Sequence, residues 1–214
     1  MKKRILCFGD SNTWGYMVTG GRFPEEVRWP TRLGALLGED YAVAEEGFNG
    51  RTCVFDDPIE GGYKSGLSYL PPCVMTHSPL DLVILMLGTN DLKKRFGMTA
   101  FTIGEGVTAL IKAVRAYGMT PEGVPPRILI LCPPPVLDNV METRHAPIFG
   151  EDAPKISREL PSELRRVAKL MRCEFLDAGA YAQVSPADAV HMTREGHLRL
   201  ADAVCEKVRE IFNQ

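Results

Sequence analysis

Residues 82–87 read LVILML and residues 128–132 read ILILC, and neither run alternates apolar with polar residues. A strand with one face in water alternates the two kinds, whereas a strand in a parallel sheet that is covered on both faces is apolar throughout. These two runs therefore predict central strands of a parallel sheet that has helices on both faces.

Three further apolar runs complete the predicted strands, which are Arg4–Phe8, Tyr41–Ala44, Leu82–Leu87, Ile128–Cys132 and Glu174–Leu176. Helical spacing of apolar residues lies between them, in segments that begin near Trp29, Phe101, Leu160 and Thr193. Because strands and helices alternate, we expect a doubly wound α/β fold with three layers, αβα, in one domain over residues 1–214.

Composition indicates which kinds of partner and which cellular compartment to expect. The chain has 25 Lys and Arg against 27 Asp and Glu, a net charge of -2, which does not favour a nucleic-acid partner. The apolar run at residues 5–8 is too short for a signal peptide, and no run approaches the ~18 apolar residues of a membrane span. The six cysteines contain no C-x-x-C pair. We therefore expect a cytoplasmic protein with free thiols and no membrane contact.

Ligands of open α/β sheets bind beyond the carboxyl ends of the strands, so the residues that follow each predicted strand are candidates for a site. They include GDSNTWG at 9–15, EEGFNGRT at 45–52, GTND at 88–91 and DAVH at 188–191. A hydroxyl, an imidazole, a carboxylate, a carboxamide and glycines thus meet at one edge. Acyl transfer needs such groups as nucleophile, base, orienting acid and oxyanion donors.

Ser11 is the candidate nucleophile, with Asp188 and His191 as its acid and base. Their spacing of three residues, just before the last predicted helix, lets a tight turn bring the carboxylate to the ring. Asp188 would then fix the tautomer of His191 and leave its other nitrogen to accept the Ser11 proton. His145, in the long segment 133–156, is the one serious rival histidine, as a substrate contact.

Several neighbouring residues have structural interpretations. A serine in a Gly-Asp-Ser sequence can be a turn residue alone. Asp10 is expected to brace the loop, and Gly47, which competes with Gly50 for an oxyanion role, can supply a bend with positive φ. The basic triplet at residues 93–95 is expected to be a solvated helix start or loop.

Four short sequence blocks resemble, in this order, those of the SGNH, or GDSL, hydrolase family. They are FGDS at residues 8–11, the glycine after the second strand, GTND, and the D-x-x-H of residues 188–191. The longer strings EEGFNGRT and PLDLVILMLGTND (79–91) are similar to its bacterial arylesterase/acyltransferase branch. The resemblance covers nearly the whole chain and implies a flavodoxin-like sheet in the order 2-1-3-4-5.

The resemblance also implies a serine esterase without a cofactor or a metal. Ser11 would be the nucleophile, His191 the base and Asp188 its partner. The oxyanion hole would use the backbone N–H groups of Ser11 and Gly50 together with the side-chain amide of Asn90.

The expected substrate is a small short-chain acyl ester, an acetyl or an aryl ester, that is hydrolysed or gives its acyl group to another acceptor. Trp14, Asn12 and Phe48 are the candidate substrate contacts, although Asn12 departs from the leucine that is common after the family's serine. Residues 17–29 and 53–80 are insertions in the fold, and with the resemblance they favour a homo-oligomer.

Two other classes stay open at this point. A flavodoxin-like fold can be a ligand-binding module without turnover, although no G-x-G-x-x-G follows the first strand and no Walker A sequence is present. Metal catalysis is the second alternative, with Asp10, Asp91, Asp188 and His191 as ligands.

Overall fold

The computed structural model describes residues 2–213, whose central feature is a sheet of five parallel strands. The strands are β1 (Lys3–Gly9), β2 (Tyr41–Gly47), β3 (Leu82–Met86), β4 (Arg127–Cys132) and β5 (Glu174–Asp177). Their order across the sheet is β2-β1-β3-β4-β5, which confirms the doubly wound order 2-1-3-4-5.

Within residues 2–213, seven α-helices lie between the strands or after the last one. They are α1 (Ser11–Trp14), α2 (Trp29–Leu37), α3 (Gly66–His77), α4 (Ala100–Tyr117), α5 (Ala146–Phe149), α6 (Ala153–Met171) and α7 (Arg194–Phe212). Helices α3, α4 and α6 contribute to the core on one face of the sheet, and α2 and α7 to the core on the other. The three-layer αβα prediction is therefore confirmed. Within residues 2–213, no helix is both long and apolar enough to cross a membrane.

The central strand β3 shows why the apolar runs do not alternate. Val83 and Leu85 belong to the core on one face of the sheet, while Leu82, Ile84 and Met86 belong to the core on the other. All five side chains are buried. Full burial of one large apolar side chain is worth about 2 kcal/mol, so a polar residue at any position of β3 would be costly.

All six cysteines are free thiols. Cys7 and Cys132 lie in the two cores with no exposed surface. Burial raises the pKa of both thiols well above the ordinary value, which keeps them protonated and unreactive.

Helix α3 is the main element that the sequence pattern does not predict. It lies inside the segment 53–80, begins after Ser65, whose Oγ accepts the N–H of Ser68 at 3.2 Å, and contains Pro71 and Pro72. Prolines are disfavoured in a helix interior and obscure its periodicity.

Helix α6 begins at Ala153 rather than near Leu160. Pro154 stands in its first turn, where a missing N–H costs nothing. Part of the segment 133–156 is therefore helical.

Candidate active site

Ser11 is presented by the tight turn between β1 and α1. Asp10 Oδ1 accepts the backbone N–H of Asn12 at 2.9 Å and so caps α1, which confirms that Asp10 braces this loop. A Cβ on Gly9 would lie 2.0 Å from Thr13 Oγ1, so only glycine allows this close turn. Ser11 is buried except for 6% of its surface and lines a cavity at the carboxyl edge of the sheet.

His191 lines this cavity from the loop before α7, and Asp188 lies fully buried behind it. His191 Nε2 lies 2.9 Å from Ser11 Oγ, and His191 Nδ1 lies 2.6 Å from Asp188 Oδ2. The other carboxylate oxygen, Oδ1, accepts the backbone N–H groups of Val190 at 3.1 Å and His191 at 3.0 Å. The three side chains therefore form one hydrogen-bonded chain from Ser11 through His191 to Asp188.

The electrostatics of Asp188 favour its ionised form. Burial by itself raises the pKa of this carboxyl, but the imidazoles of His145 and His191 and the backbone N–H of His191 outweigh burial and hold the pKa well below its ordinary value. A carboxylate that stays charged beside His191 fixes the tautomer with Nδ1 protonated, and Nε2 is then free to accept a proton.

Asn12 does not contact the cavity, so its prediction as a substrate contact is wrong. Only 1% of its surface is exposed, and its side chain bonds to backbone instead. Nδ2 donates to the carbonyl of Val190 at 3.3 Å, and Oδ1 accepts the N–H of Met192 at 2.9 Å. The amide thus holds the chain on both sides of His191.

Three candidate oxyanion donors lie beside Ser11. The N–H groups of Ser11 and Gly50 donate to no other backbone group within residues 2–213, and Gly50 has φ +81°, which favours glycine. Asn90 lines the cavity, and its Nδ2 is 3.1 Å from the carbonyl of Arg51 and 3.4 Å from Asp10 Oδ2. The contact to Asp10 is the longer and weaker of the two.

Gly47 has a packing role. Its φ is not positive, so the predicted bend there is wrong, but a Cβ would lie 2.2 Å from the backbone nitrogen of Trp14. Glycine at this position lets β2 approach α1 closely.

The two further predicted substrate contacts, Trp14 and Phe48, are not among the residues that line the Ser11 cavity. The Trp14 ring lies 5.0 Å from the guanidinium carbon of Arg22. Phe48 faces a second cavity of about 520 Å³, where Lys64 Nζ lies 4.4 Å from its ring. Both residues follow strands, as predicted, but neither is among the residues that line the Ser11 cavity.

Tyr16 is a wall residue that the sequence does not identify. Its ring centroid lies 4.4 Å from that of His191, and its hydroxyl accepts a hydrogen bond from Arg144 at 3.0 Å. The cavity that it helps to enclose has a volume of about 340 Å³. The sequence around Tyr16 does not predict this role, because the contact joins it to His191, which is far away along the chain.

Lys93 is buried, so the expectation of a solvated basic triplet is wrong at its first position. Its Nζ lies 3.1 Å from Asp57 Oδ2 and 2.7 Å from Glu60 Oε2. Arg95 bonds to the same two carboxylates, at 3.0 and 3.1 Å. Lys94 alone of the triplet has an exposed side chain without an ion pair within residues 2–213. The network fixes the segment at residues 57–60 against the cavity, which Lys93 and Glu60 line.

His145 lines the same cavity, next to the proposed acid and base. Its ring centroid is 5.8 Å from that of His191, and its Nε2 is 3.8 Å from Asp188 Oδ2, which is beyond hydrogen-bond length. Both ring nitrogens are buried and have no hydrogen-bond partner within residues 2–213.

The two remaining histidines lie outside the cavity. His77 ends α3 and pairs with Glu46, with 2.8 Å between Nε2 and Oε1. His197 is fully buried in α7 beside Phe23, and burial lowers its pKa to about 3.

The four residues proposed as a metal cluster do not converge. Asp10 accepts the N–H of Asn12, and both carboxylate oxygens of Asp91 lie 3.0 Å from the N–H of Cys53. Burial raises the pKa of Asp10 and of Asp91 to about 6. Within residues 2–213, the groups whose ligand atoms lie within 4.8 Å of one another are His145–Asp188–His191 and Glu46–Cys73–His77, and neither includes Asp10 or Asp91.

The chain is similar to known esterases over most of its length. Residues 7–199 match the model of the GDSL-like lipase/acylhydrolase family. Among solved structures, an aryl esterase from M. smegmatis is 38% identical, with a TM-score of 0.89 and 97% and 99% of the two chains covered. Est24, a carbohydrate acetylesterase from Sinorhizobium meliloti, is 34% identical, with a TM-score of 0.90 and coverage of 98% and 100%.

A curated relative, an acetylxylan esterase from Xylanibacter ruminicola, is 23% identical over 96% of this chain. The match covers 43% of that protein, so the chain described here spans less than half of its length.

Proposed function

This chain belongs to the GDSL-like lipase/acylhydrolase family and is a carboxylic ester hydrolase, and from that premise we propose that it cleaves acetyl and other short-chain acyl esters through Ser11, His191 and Asp188. Family membership decides against a flavodoxin-like binding module. The observation that carries the proposal is the pair of hydrogen bonds, 2.9 and 2.6 Å long, that links Ser11 Oγ through His191 to Asp188.

The reaction begins with proton transfer from Ser11 to His191. Nε2 takes the proton while Oγ forms a bond to the ester carbonyl carbon, and the imidazolium is stabilised by Asp188. The lowered pKa of Asp188 supports this role, because the carboxylate keeps its charge throughout.

The carbonyl oxygen becomes an oxyanion in this step and needs neutral donors. The N–H groups of Ser11 and Gly50 are candidates, since no other backbone group uses them within residues 2–213. Asn90 Nδ2 is the third, and its 3.4 Å contact to Asp10 is long enough to be exchanged for one to the oxyanion.

The tetrahedral intermediate then collapses. His191 gives its proton to the oxygen of the leaving alcohol, and the acyl group remains on Ser11. Water attacks the acyl-enzyme with His191 again as the base, which releases the acid and restores the serine.

Two features support a short acyl group. The cavity of about 340 Å³ is at the small end of the ~300–1,000 Å³ of ligand sites. The names of two relatives, an acetylxylan esterase and a carbohydrate acetylesterase, specify acetyl esters. We therefore place an acetylated hydroxyl compound first among the substrates.

The same acyl-enzyme can be resolved by an alcohol, which makes acyl transfer a second proposed activity. Ile148, Phe149 and Val190 give the cavity an apolar wall, and an apolar wall favours an alcohol over water at the acyl carbon. The ratio of ester to acid products in mixed alcohol and water measures this partition.

Hydrolysis of p-nitrophenyl acetate tests the proposal. Ser11→Ala and His191→Ala are expected to lower kcat by roughly 10⁴ or more while the fold is retained. Ser162→Ala, which removes an exposed hydroxyl from α6, is the matched control and should keep wild-type turnover. Wild-type turnover in Ser11→Ala would reject the mechanism, and a chain-length series that peaks at octanoyl would reject the short acyl group.

A further inference from the structure

Asn12 makes most of the direct hydrogen bonds between the turn at residues 9–16, the Ser11 turn, and the loop at residues 184–193, the His191 loop. Within residues 2–213, three hydrogen bonds join residues 9–16 to residues 184–193. One is the bond from Ser11 Oγ to His191 Nε2, and the other two are the bonds that Asn12 makes to Val190 and Met192.

Other bonds fix the internal shape of the His191 loop or join it to residues 137–139, where the Leu137 N–H donates to the Ala189 carbonyl at 2.9 Å and Asn139 Nδ2 donates to the Pro186 carbonyl at 2.8 Å. Asp188 Oδ1 holds two backbone N–H groups, and Ser185 exchanges backbone bonds with Ala189 and His191 at 2.8 Å each. Ala189 has φ +65°, a conformation that a residue with a side chain adopts at a cost. A loop with such a residue keeps its position only when its surroundings hold it.

The side chain of Asn12 is suited to this contact in a way that the common leucine is not. A carboxamide offers one acceptor and two donors at nearly the same place, and here Oδ1 meets an N–H while Nδ2 meets a carbonyl. Leucine would fill the space but would leave the Val190 carbonyl and the Met192 N–H without these buried partners.

We propose that Asn12 is a positioning residue. Its hydrogen bonds to the backbone on both sides of His191 keep the imidazole within hydrogen-bond distance of Ser11 Oγ. The proposal rests on the function proposed above. Its effect is largest after acylation, because Ser11 Oγ is then an ester oxygen and no longer donates to His191. During deacylation the two Asn12 bonds are the polar links that still fix the loop to the Ser11 turn.

A specific kinetic signature follows from this difference between the two half-reactions. In Asn12→Leu, deacylation should slow by about 10- to 100-fold, because a misplaced base loses roughly that much rate. Acylation should slow less, since the Ser11 hydroxyl still bonds to His191. The acetyl-enzyme should therefore accumulate, and kcat and KM should fall together.

The test is rapid mixing with p-nitrophenyl acetate, followed by intact-protein mass measurement of the acetyl-enzyme. Asn139→Leu is the matched control, because Asn139 Nδ2 also donates to a carbonyl of this loop, that of Pro186 at 2.8 Å, but does not flank His191. It should show the wild-type amount of acetyl-enzyme. Asn12→Ala, which adds no bulk, provides the same comparison if leucine disturbs folding.

Accumulated acetyl-enzyme in the Asn12 variants with an unchanged control supports the positioning role. Equal slowing of acylation and deacylation, or unchanged deacylation, overturns it. Failure of the proposed function is distinct, because Ser11→Ala would then keep its turnover and the wild-type protein would form no acetyl-enzyme on Ser11.

Discussion

Lys93 and Asp57 form an ion pair of 3.1 Å in which both side chains are almost completely buried. Glu60 and Arg95 extend the pair into a network beside the Ser11 cavity. Burying a charge is costly unless it is paired and hydrogen-bonded, so each member of this network depends on the others.

Replacing Lys93 with methionine should therefore destabilise the fold. The substitution leaves Asp57 buried with Arg95 as its remaining cationic partner, and loss of one partner of a buried pair costs about 3 kcal/mol. Urea unfolding of Lys93→Met measures the loss. Lys94→Met, at the exposed neighbouring position, is the control and should change the free energy of unfolding by no more than about 0.5 kcal/mol. Equal stability of the two variants would contradict the network's role.

Asn90→Ala tests the proposed oxyanion hole. Removal of one donor to an oxyanion lowers kcat by about 10²–10³ and affects ground-state binding much less. We expect such a loss of kcat for p-nitrophenyl acetate, with a KM within a few-fold of the wild-type value. A variant that loses binding and keeps its kcat would show instead that Asn90 acts on the substrate's ground state.

Asp91→Asn tests the effect of burial through the pH dependence of stability. Burial raises the pKa of Asp91 from 3.8 to about 6, so the folded protein binds more protons than the unfolded chain between these values. This contribution to stability is fully present below about pH 3.8 and is lost as the pH rises through 6.

Asparagine cannot ionise, so Asp91→Asn should gain stability over the wild type by about 2 kcal/mol more at pH 8 than at pH 4.5. Denaturant unfolding at the two pH values measures the difference. The exposed Asp40→Asn is the control. A gain that does not depend on pH would show that Asp91 is ionised in the folded protein at both values.

Local patterns were sufficient to predict the sheet. The run LVILML needs two apolar faces, and the structure provides one core for each set of alternate residues of β3. Helix α3 could not be predicted in the same way, because Pro71 and Pro72 stand inside it and tertiary packing overrides their low helix propensity.

The order of the candidate site residues could also be predicted, since the carboxyl ends of parallel strands share one edge. The direction of individual side chains could not. The buried Lys93 pairs with carboxylates that are 33 and 36 residues away in the sequence. Asn12 forms hydrogen bonds to backbone groups 178 and 180 residues away. Such contacts exist only after folding, so local sequence predicts neither the backbone bonds of Asn12 nor the burial of Lys93.

The most direct test of the proposed mechanism is to label the protein with a serine-reactive organophosphonate and to locate the adduct by peptide mass spectrometry. Such a reagent reacts with a serine that is activated by an adjacent base and lies beside an oxyanion hole. We predict one adduct, on Ser11, that forms in step with the loss of p-nitrophenyl acetate hydrolysis and is absent from Ser11→Ala. An adduct on another residue that abolishes activity, or a fully active protein with Ser11 labelled, would contradict it.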